Sequence, residues 1–163
     1  MGSGKTAVGR HLARMMRLPF YDSDEEIVRR TGVDIPFIFE KEGESGFRLR
    51  ESEVLDQLTQ LDSIVLATGG GAVLKPENRR WLSGRGVVVY LKTSVEQQLR
   101  RTRRGTHRPL LQGADPESRL RELMEQRAPL YEEIALVTVN TDQRKAQSVA
   151  QQILREIHRL AAP

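Results

Sequence analysis

Gly2-Ser3-Gly4-Lys5-Thr6 is the stretch that decides the fold, and a helical pattern begins at once behind it: Val8, Leu12 and Met15 or Met16 recur at i, i+4 and i+7 or i+8. The pentapeptide is the tail of the phosphate loop G-x-x-x-x-G-K-[ST]. Its glycines let backbone N–H groups turn toward phosphate oxygens, and the following helix adds its positive N-terminus. Lys5 then reaches the β- and γ-phosphates, and the Thr6 hydroxyl is placed to ligate Mg²⁺. A flexible glycine-rich terminus is the competing reading of the same residues. The motif's first glycine and the apolar strand that leads into the loop do not precede Gly2. The expectation is a chain N-terminally truncated by roughly ten or more residues, a strand of typical length plus the start of the loop. A sheet without that strand would carry two extra edges and an open core seam.

Beyond the loop, strands and helices alternate. Phe20-Tyr21 reads as the end of a strand, and Glu25 to Thr31 as a helix closed by Gly32. Asp34 to Glu42 and Ser45 to Gln60 read as two further helices. Ser63 to Thr68 reads as a strand running into Gly69-Gly70-Gly71. Pro76 opens a helix that Gly84 and Gly86 end. Val87 to Leu91 has the continuous apolar character of a strand buried on both faces. Ser94 to Arg103 and Glu117 to Tyr131 read as helices on either side of loop chemistry from Gly105 to Pro116. Ala135 to Asn140 reads as a strand. Lys145 to Leu160 reads as a last helix with Val149, Ile153, Ile157 and Leu160 inward. This order implies an α/β domain with a parallel sheet covered on both faces and ligands beyond the carboxyl ends of its strands.

Composition narrows the function. The chain has 163 residues, enough for one domain, and no cysteine, which excludes a disulfide framework and thiolate chemistry. No apolar run is long enough to span a membrane and no signal peptide opens the chain, so a cytoplasmic protein is expected. The net charge of +4 is carried largely by arginine, since only Lys5, Lys41, Lys75, Lys92 and Lys145 are lysines. Most of these arginines read as solvated helix faces. The densest cluster, Arg100, Arg101, Arg103 and Arg104, comes with no recognisable nucleic-acid module, so no nucleic-acid partner is expected.

Three places carry candidate chemistry. Asp22 and Asp24 flank Ser23 at a strand end. They read as an N-cap with first-turn acids, or as a divided pair in which one carboxylate serves hydrated Mg²⁺ and the other an acceptor hydroxyl. Arg48 and Glu51 share the inward stripe of Leu55 and Leu58, and Arg127 continues the stripe of Leu120, Leu123 and Met124. A buried guanidinium needs an anion. Glu51 can serve Arg48, whereas Arg127 has no acid on its own face, so either the pair forms a carboxylate-binding pocket or the side chains snorkel. Arg108, beside Pro109 in the long loop, is either a surface residue or the arginine of a lid closing over ATP.

Taken in order, GSGKT, FYDSD, GFRLRE, ATGGGAV, GVVVYL, RPLL and RAPLYEEIA resemble the shikimate kinase family over nearly the whole chain. The resemblance implies a three-layer α/β/α phosphate-loop kinase fold with a five-stranded parallel sheet, its first and central strand missing here. Residues 1–163 form a single domain with a lid at about 104–116. It implies ATP-dependent phosphorylation of the 3-hydroxyl of shikimate by a monomer, with one Mg²⁺ and no nucleic-acid or membrane partner. Carried over by motif, Gly2, Ser3, Gly4, Lys5 and Thr6 hold the triphosphate. Thr6 binds Mg²⁺, Asp22 through water, and Asp24 binds shikimate hydroxyls as base or orienting group. Arg48 and Arg127 clamp the shikimate carboxylate. Gly69, Gly70 and Gly71 offer backbone N–H groups. Lys5 and Arg108 stabilise the transferring phosphate, and Arg101 and Arg144 lie on the adenine side.

Other classes remain open on sequence. A gluconate-type kinase shares the loop and lid but not the paired inward arginines with FYDSD and the triple glycine. A non-catalytic nucleotide-binding module gains weight from the incomplete loop. A nucleic-acid binder would show steeply salt-dependent oligonucleotide affinity.

Overall fold

The structure, a computed structural model, describes residues 2–102 and 115–162. Helix α1 (Lys5–Met16) follows Gly4, whose φ of 81° turns the chain from the loop into the helix. Strand β1 (Phe20–Asp22) leads into α2 (Ser23–Thr31) and α3 (Ile35–Leu58). The two helices read from sequence between Asp34 and Gln60 are the halves of α3. Gly43 breaks it with φ 70° and ψ −177°, a conformation open to a residue without a Cβ. After β2 (Val65–Ala67), a 3₁₀ turn (Ala72–Leu74) passes to α4 (Pro76–Arg85). Strand β3 (Val89–Lys92), α5 (Val95–Thr102), α6 (Pro116–Ile134), β4 (Val137–Asn140) and α7 (Ala146–Ala161) complete the order.

The strands pair in parallel, β1 with β2 (Tyr21 opposite Leu66) and β3 with β4 (Tyr90 opposite Thr138). One core cluster joins α1 and α7 to β4 through Val8, Leu12, Val139, Val149 and Ile153, with Val65, Val89 and Leu91 packed against it. A second covers the β1–β2 pair with Ile27, Ile38, Phe47, Val54 and Leu58. Helix α6 lies over β3, where Tyr131 stacks on Tyr90 at 5.0 Å between ring centroids. These are helix, strand and helix layers, as the alternating sequence implies.

The expectation is a five-stranded parallel sheet lacking its central strand. Among the described residues the sheet consists of two separate two-stranded pairs, β1–β2 and β3–β4. Between β2 and β3 runs an apolar cavity of about 440 Å³, walled by Val65, Leu66 and Ala67 on one side and Val89, Tyr90 and Leu91 on the other.

Smaller corrections have local causes. The Ser63–Thr68 strand keeps ladder pairing only at Val65–Ala67, because Ser63 takes a left-handed φ of 55°. Val87 precedes β3 and is exposed, and Val89 and Leu91 are only half-buried, so this strand is not enclosed on both faces. Gly84 stays helical and the helix ends at Gly86. Leu160 sits in the last turn of α7, beyond the core, and is exposed. The expected lid, from 104 to 114, lies outside the described residues; Asp115 and Pro116 cap and open α6. No helix among the described residues is long and apolar enough to cross a membrane.

Candidate active site

A cleft of about 500 Å³ opens at the carboxyl ends of β1 and β2. It gathers residues far apart in sequence: the phosphate loop at Gly2, Gly4, Lys5 and Thr6, the acids Asp22 and Asp24, Arg48, Glu51 and Arg127, and the turn Gly69-Gly70-Gly71. Its size suits a small molecule bound beside a nucleotide phosphate.

Asp22 ends β1 and serves two elements. One oxygen caps α2 by accepting from the Asp24 and Glu25 N–H groups at 3.0 and 3.4 Å. The other accepts from the Thr6 hydroxyl at 2.7 Å. The capping reading of this acid holds, and the same side chain also reaches Thr6. Thr6 and Asp22 together present hard oxygen donors, the set Mg²⁺ prefers. Among the described residues no cluster of three or more His, Cys, Asp or Glu side chains could hold a metal by itself. Such an ion needs phosphate and water oxygens as well. Ser3 is buried below the loop, its hydroxyl 3.4 Å from Lys5 Nζ.

The inward arginines are inside, at 8% and 3% exposure for Arg48 and Arg127. Arg48 donates to Glu51 at 2.7 Å and to Glu44 at 3.1 Å. Glu51 is fully buried, and its Oε1 has no hydrogen-bond partner. Burial pushes its carboxyl up from the usual value; the Arg48 guanidinium opposes this and Asp24 adds to it. Arg127 differs. No carboxylate lies within ion-pair distance of it among the described residues, and its Nε has no hydrogen-bond partner. Burial pulls its guanidinium down from the usual value, the Tyr131 hydroxyl supports the charge, and Arg48 opposes it. An anion arriving between Arg48 and Arg127 would relieve both.

The glycine turn is compressed against these groups. A Cβ on Gly69 would meet Glu51 Oε1 at 2.7 Å and Asp24 Oδ1 at 3.0 Å, and one on Gly71 would overlap the Arg48 guanidinium. The turn is braced from below. Ser23 accepts from the Gly69 N–H at 3.1 Å, Asn78 donates to the Ala72 carbonyl at 2.9 Å, and Tyr131 donates to the Gly70 carbonyl.

Two other predicted residues stand aside. Arg101 donates to the Gly2 carbonyl at 3.0 Å and to the Thr141 carbonyl at 3.1 Å, so it touches the phosphate loop from its back. Arg144 folds onto the start of α7 through Asn140, Ser148 and Gln152. Arg108 lies outside the described residues. Sequence reading missed Ser23 and Tyr131. Tyr131 lies one helical turn after Arg127 and so shares its face, which was the available signal. Ser23 had none beyond lying between two acids.

A glycine-lysine-threonine loop opening a helix, two carboxylates and two buried arginines share one cleft, the arrangement of a phosphate-loop kinase with a small-molecule acceptor. Comparison with known proteins narrows the class. The family model described as shikimate kinase matches residues 1–158. The shikimate kinase of Acinetobacter baylyi is 59% identical over 157 residues, covering 96% of this chain and 87% of the relative. The solved shikimate kinase of Acinetobacter baumannii in complex with shikimate superposes with a TM-score of 0.98 at 54% identity, covering 100% of this chain and 91% of that one. The shikimate kinase of Aquifex aeolicus gives 0.83 at 35% identity, over 99% and 93%. The chain belongs to the shikimate kinase family, and it is a kinase.

Proposed function

We propose that the cleft binds both substrates at once, with Gly2, Ser3, Gly4, Lys5 and Thr6 around the ATP triphosphate and Asp24, Arg48, Gly69, Gly70, Gly71 and Arg127 around shikimate. The reaction is that of the family: ATP-dependent phosphorylation of the 3-hydroxyl of shikimate to shikimate 3-phosphate, a step toward chorismate and the aromatic amino acids. The observation that carries the acceptor assignment is Arg127, a buried guanidinium with no carboxylate partner among the described residues, facing the same cleft as Arg48. A substrate carboxylate supplies the missing anion by paired forks.

The chemistry follows from position. Arg48 and Arg127 hold the carboxylate end, which orients the ring and brings a hydroxyl to Asp24. Asp24 accepts or aligns the proton of the attacking hydroxyl. Lys5 neutralises charge on the β- and γ-phosphates, and the backbone N–H groups of the loop cradle them. Thr6 directly and Asp22 through water would hold one Mg²⁺, which when bound screens phosphate charge. In this reading Arg108 serves to stabilise charge on the transferring phosphate. Arg101 and Arg144 take the adenine side, and the position of Arg101 at the back of the loop favours it over Arg144.

The proposal extends to the sheet. A fifth, central strand fits between β2 and β3, where apolar walls and two facing strand edges form its bed. A cytoplasmic monomer with no nucleic-acid or membrane partner completes the reading, and sedimentation with and without oligonucleotide tests that part.

The test of function is a coupled assay of ADP release with shikimate and with gluconate. Release with shikimate alone is expected, with 3-phosphate as product. ATP binding without transfer to shikimate overturns the reading in favour of a non-catalytic module.

A further inference from the structure

Tyr131 belongs to no role assigned so far, yet its hydroxyl touches two groups of the cleft. It donates to the Gly70 carbonyl, and it faces the Arg127 guanidinium one turn earlier on α6. The ring is held independently of the hydroxyl, by stacking on Tyr90 at 5.0 Å with a 32° tilt. Burial pushes the phenol up from its usual value and Arg127 pulls it back, so the group stays a neutral donor near neutral pH. All peptides are trans among the described residues. The N–H of Gly71 therefore points opposite to the Gly70 carbonyl, away from Tyr131. Gly71 is the residue that the Arg48 guanidinium covers.

We propose that Tyr131 is a positioning residue for carboxylate recognition: by pinning the Gly70 carbonyl while facing Arg127, it sets one peptide plane and one guanidinium in a common register. The proposal rests on the assignment of this cleft to shikimate. Without the hydroxyl the 70–71 peptide is free to rotate, since glycine on both sides opposes rotation least. Each rotation changes the direction of the Gly71 N–H beside Arg48 and lets Arg127 drift from Arg48. The loss falls on holding the acceptor's carboxylate, not on phosphate transfer.

Tyr131→Phe tests this, because it keeps the stacked ring and removes one oxygen. The KM for shikimate should rise roughly tenfold, the effect of one lost charge-linked hydrogen bond. The KM for ATP should stay within about twofold, and Tm within about 2 °C. With the carboxamide analogue of shikimate, parent and variant should differ by less than about twofold. An unchanged shikimate KM overturns the proposal. So does a parallel change in both KM values, or a Tm loss large enough to mark Tyr131 as a structural brace. A parent chain that does not phosphorylate shikimate overturns the substrate assignment and this proposal together. An active parent with an unaffected variant overturns only this one.

Discussion

The Thr6 hydroxyl donates to Asp22 Oδ2 at 2.7 Å, tying the end of the phosphate loop to the end of β1. The second oxygen of the same carboxylate caps α2. Asp22 therefore couples the Thr6 hydroxyl to the helix that carries Asp24. Asparagine keeps a cap and loses the charge. Asp22→Asn should leave Tm nearly unchanged and raise the Mg²⁺ concentration for half-maximal activity by roughly tenfold. A titration of rate against Mg²⁺ checks this, and an unshifted midpoint would remove Asp22 from the metal site.

The two buried arginines should separate in stability. Among the described residues Arg127 is a buried charge without a carboxylate partner, so Arg127→Leu should leave the unliganded protein as stable or more so. Arg48→Leu strands the fully buried Glu51 and should cost about 3 kcal/mol. Urea unfolding without substrate distinguishes them. Both variants should raise the shikimate KM far more than the ATP KM.

Asp24→Asn should lower kcat by roughly a hundredfold or more, with a native circular dichroism spectrum, as expected for loss of a proton-accepting group. Near-parental turnover would show that Asp24 only binds.

The cavity between β2 and β3 predicts a large response to an added strand that fills it. Adding an apolar, β-branched segment of about six residues ahead of the loop should raise Tm by roughly 10 °C and raise activity. An equal-length glycine-serine extension is the control. If both extensions behave alike, the cavity is not a strand bed.

Glu26 gives a pH prediction. Its carboxylate accepts from Arg29 at 2.7 and 2.8 Å and from Arg30 at 2.7 Å. The Arg29 hydrogen bond, opposed by burial and helped by Arg30, lowers its pKa to about 2. A lowered carboxylate stabilises the fold above its unfolded pKa and loses that contribution as pH falls. Glu26→Gln should therefore be less stable than the parent at neutral pH, though only modestly, because Arg29 is exposed and its charge is screened. The gap should close between about pH 4.5 and about pH 2, as followed by urea melts. A gap independent of pH would assign the effect to packing.

The site was more legible in the chain than the sheet was. Arg48, Glu51 and Arg127 stand on faces marked by Leu55, Leu58, Leu120 and Leu123, and helical periodicity carries that information over one or two turns. The burial of all three follows from it. Strand length was less legible. Val87 is apolar but exposed, and Ser63 leaves the ladder by its backbone angle, so composition overstated both strands. The bonds from Tyr131 to Gly70 and from Gly69 to Ser23 span 61 and 46 residues, and no local pattern encodes such pairings.

The bond from Arg101 to the Gly2 carbonyl joins residues 99 positions apart. Contacts of such long range form slowly, because the intervening chain must close first. The glycine loop proposed to hold ATP sits at the start of the sequence yet is tied to a residue made much later. In refolding or synthesis on a ribosome, competence to bind ATP should therefore arrive late, and a fluorescent nucleotide would time the completion of the whole fold rather than the formation of its first helix.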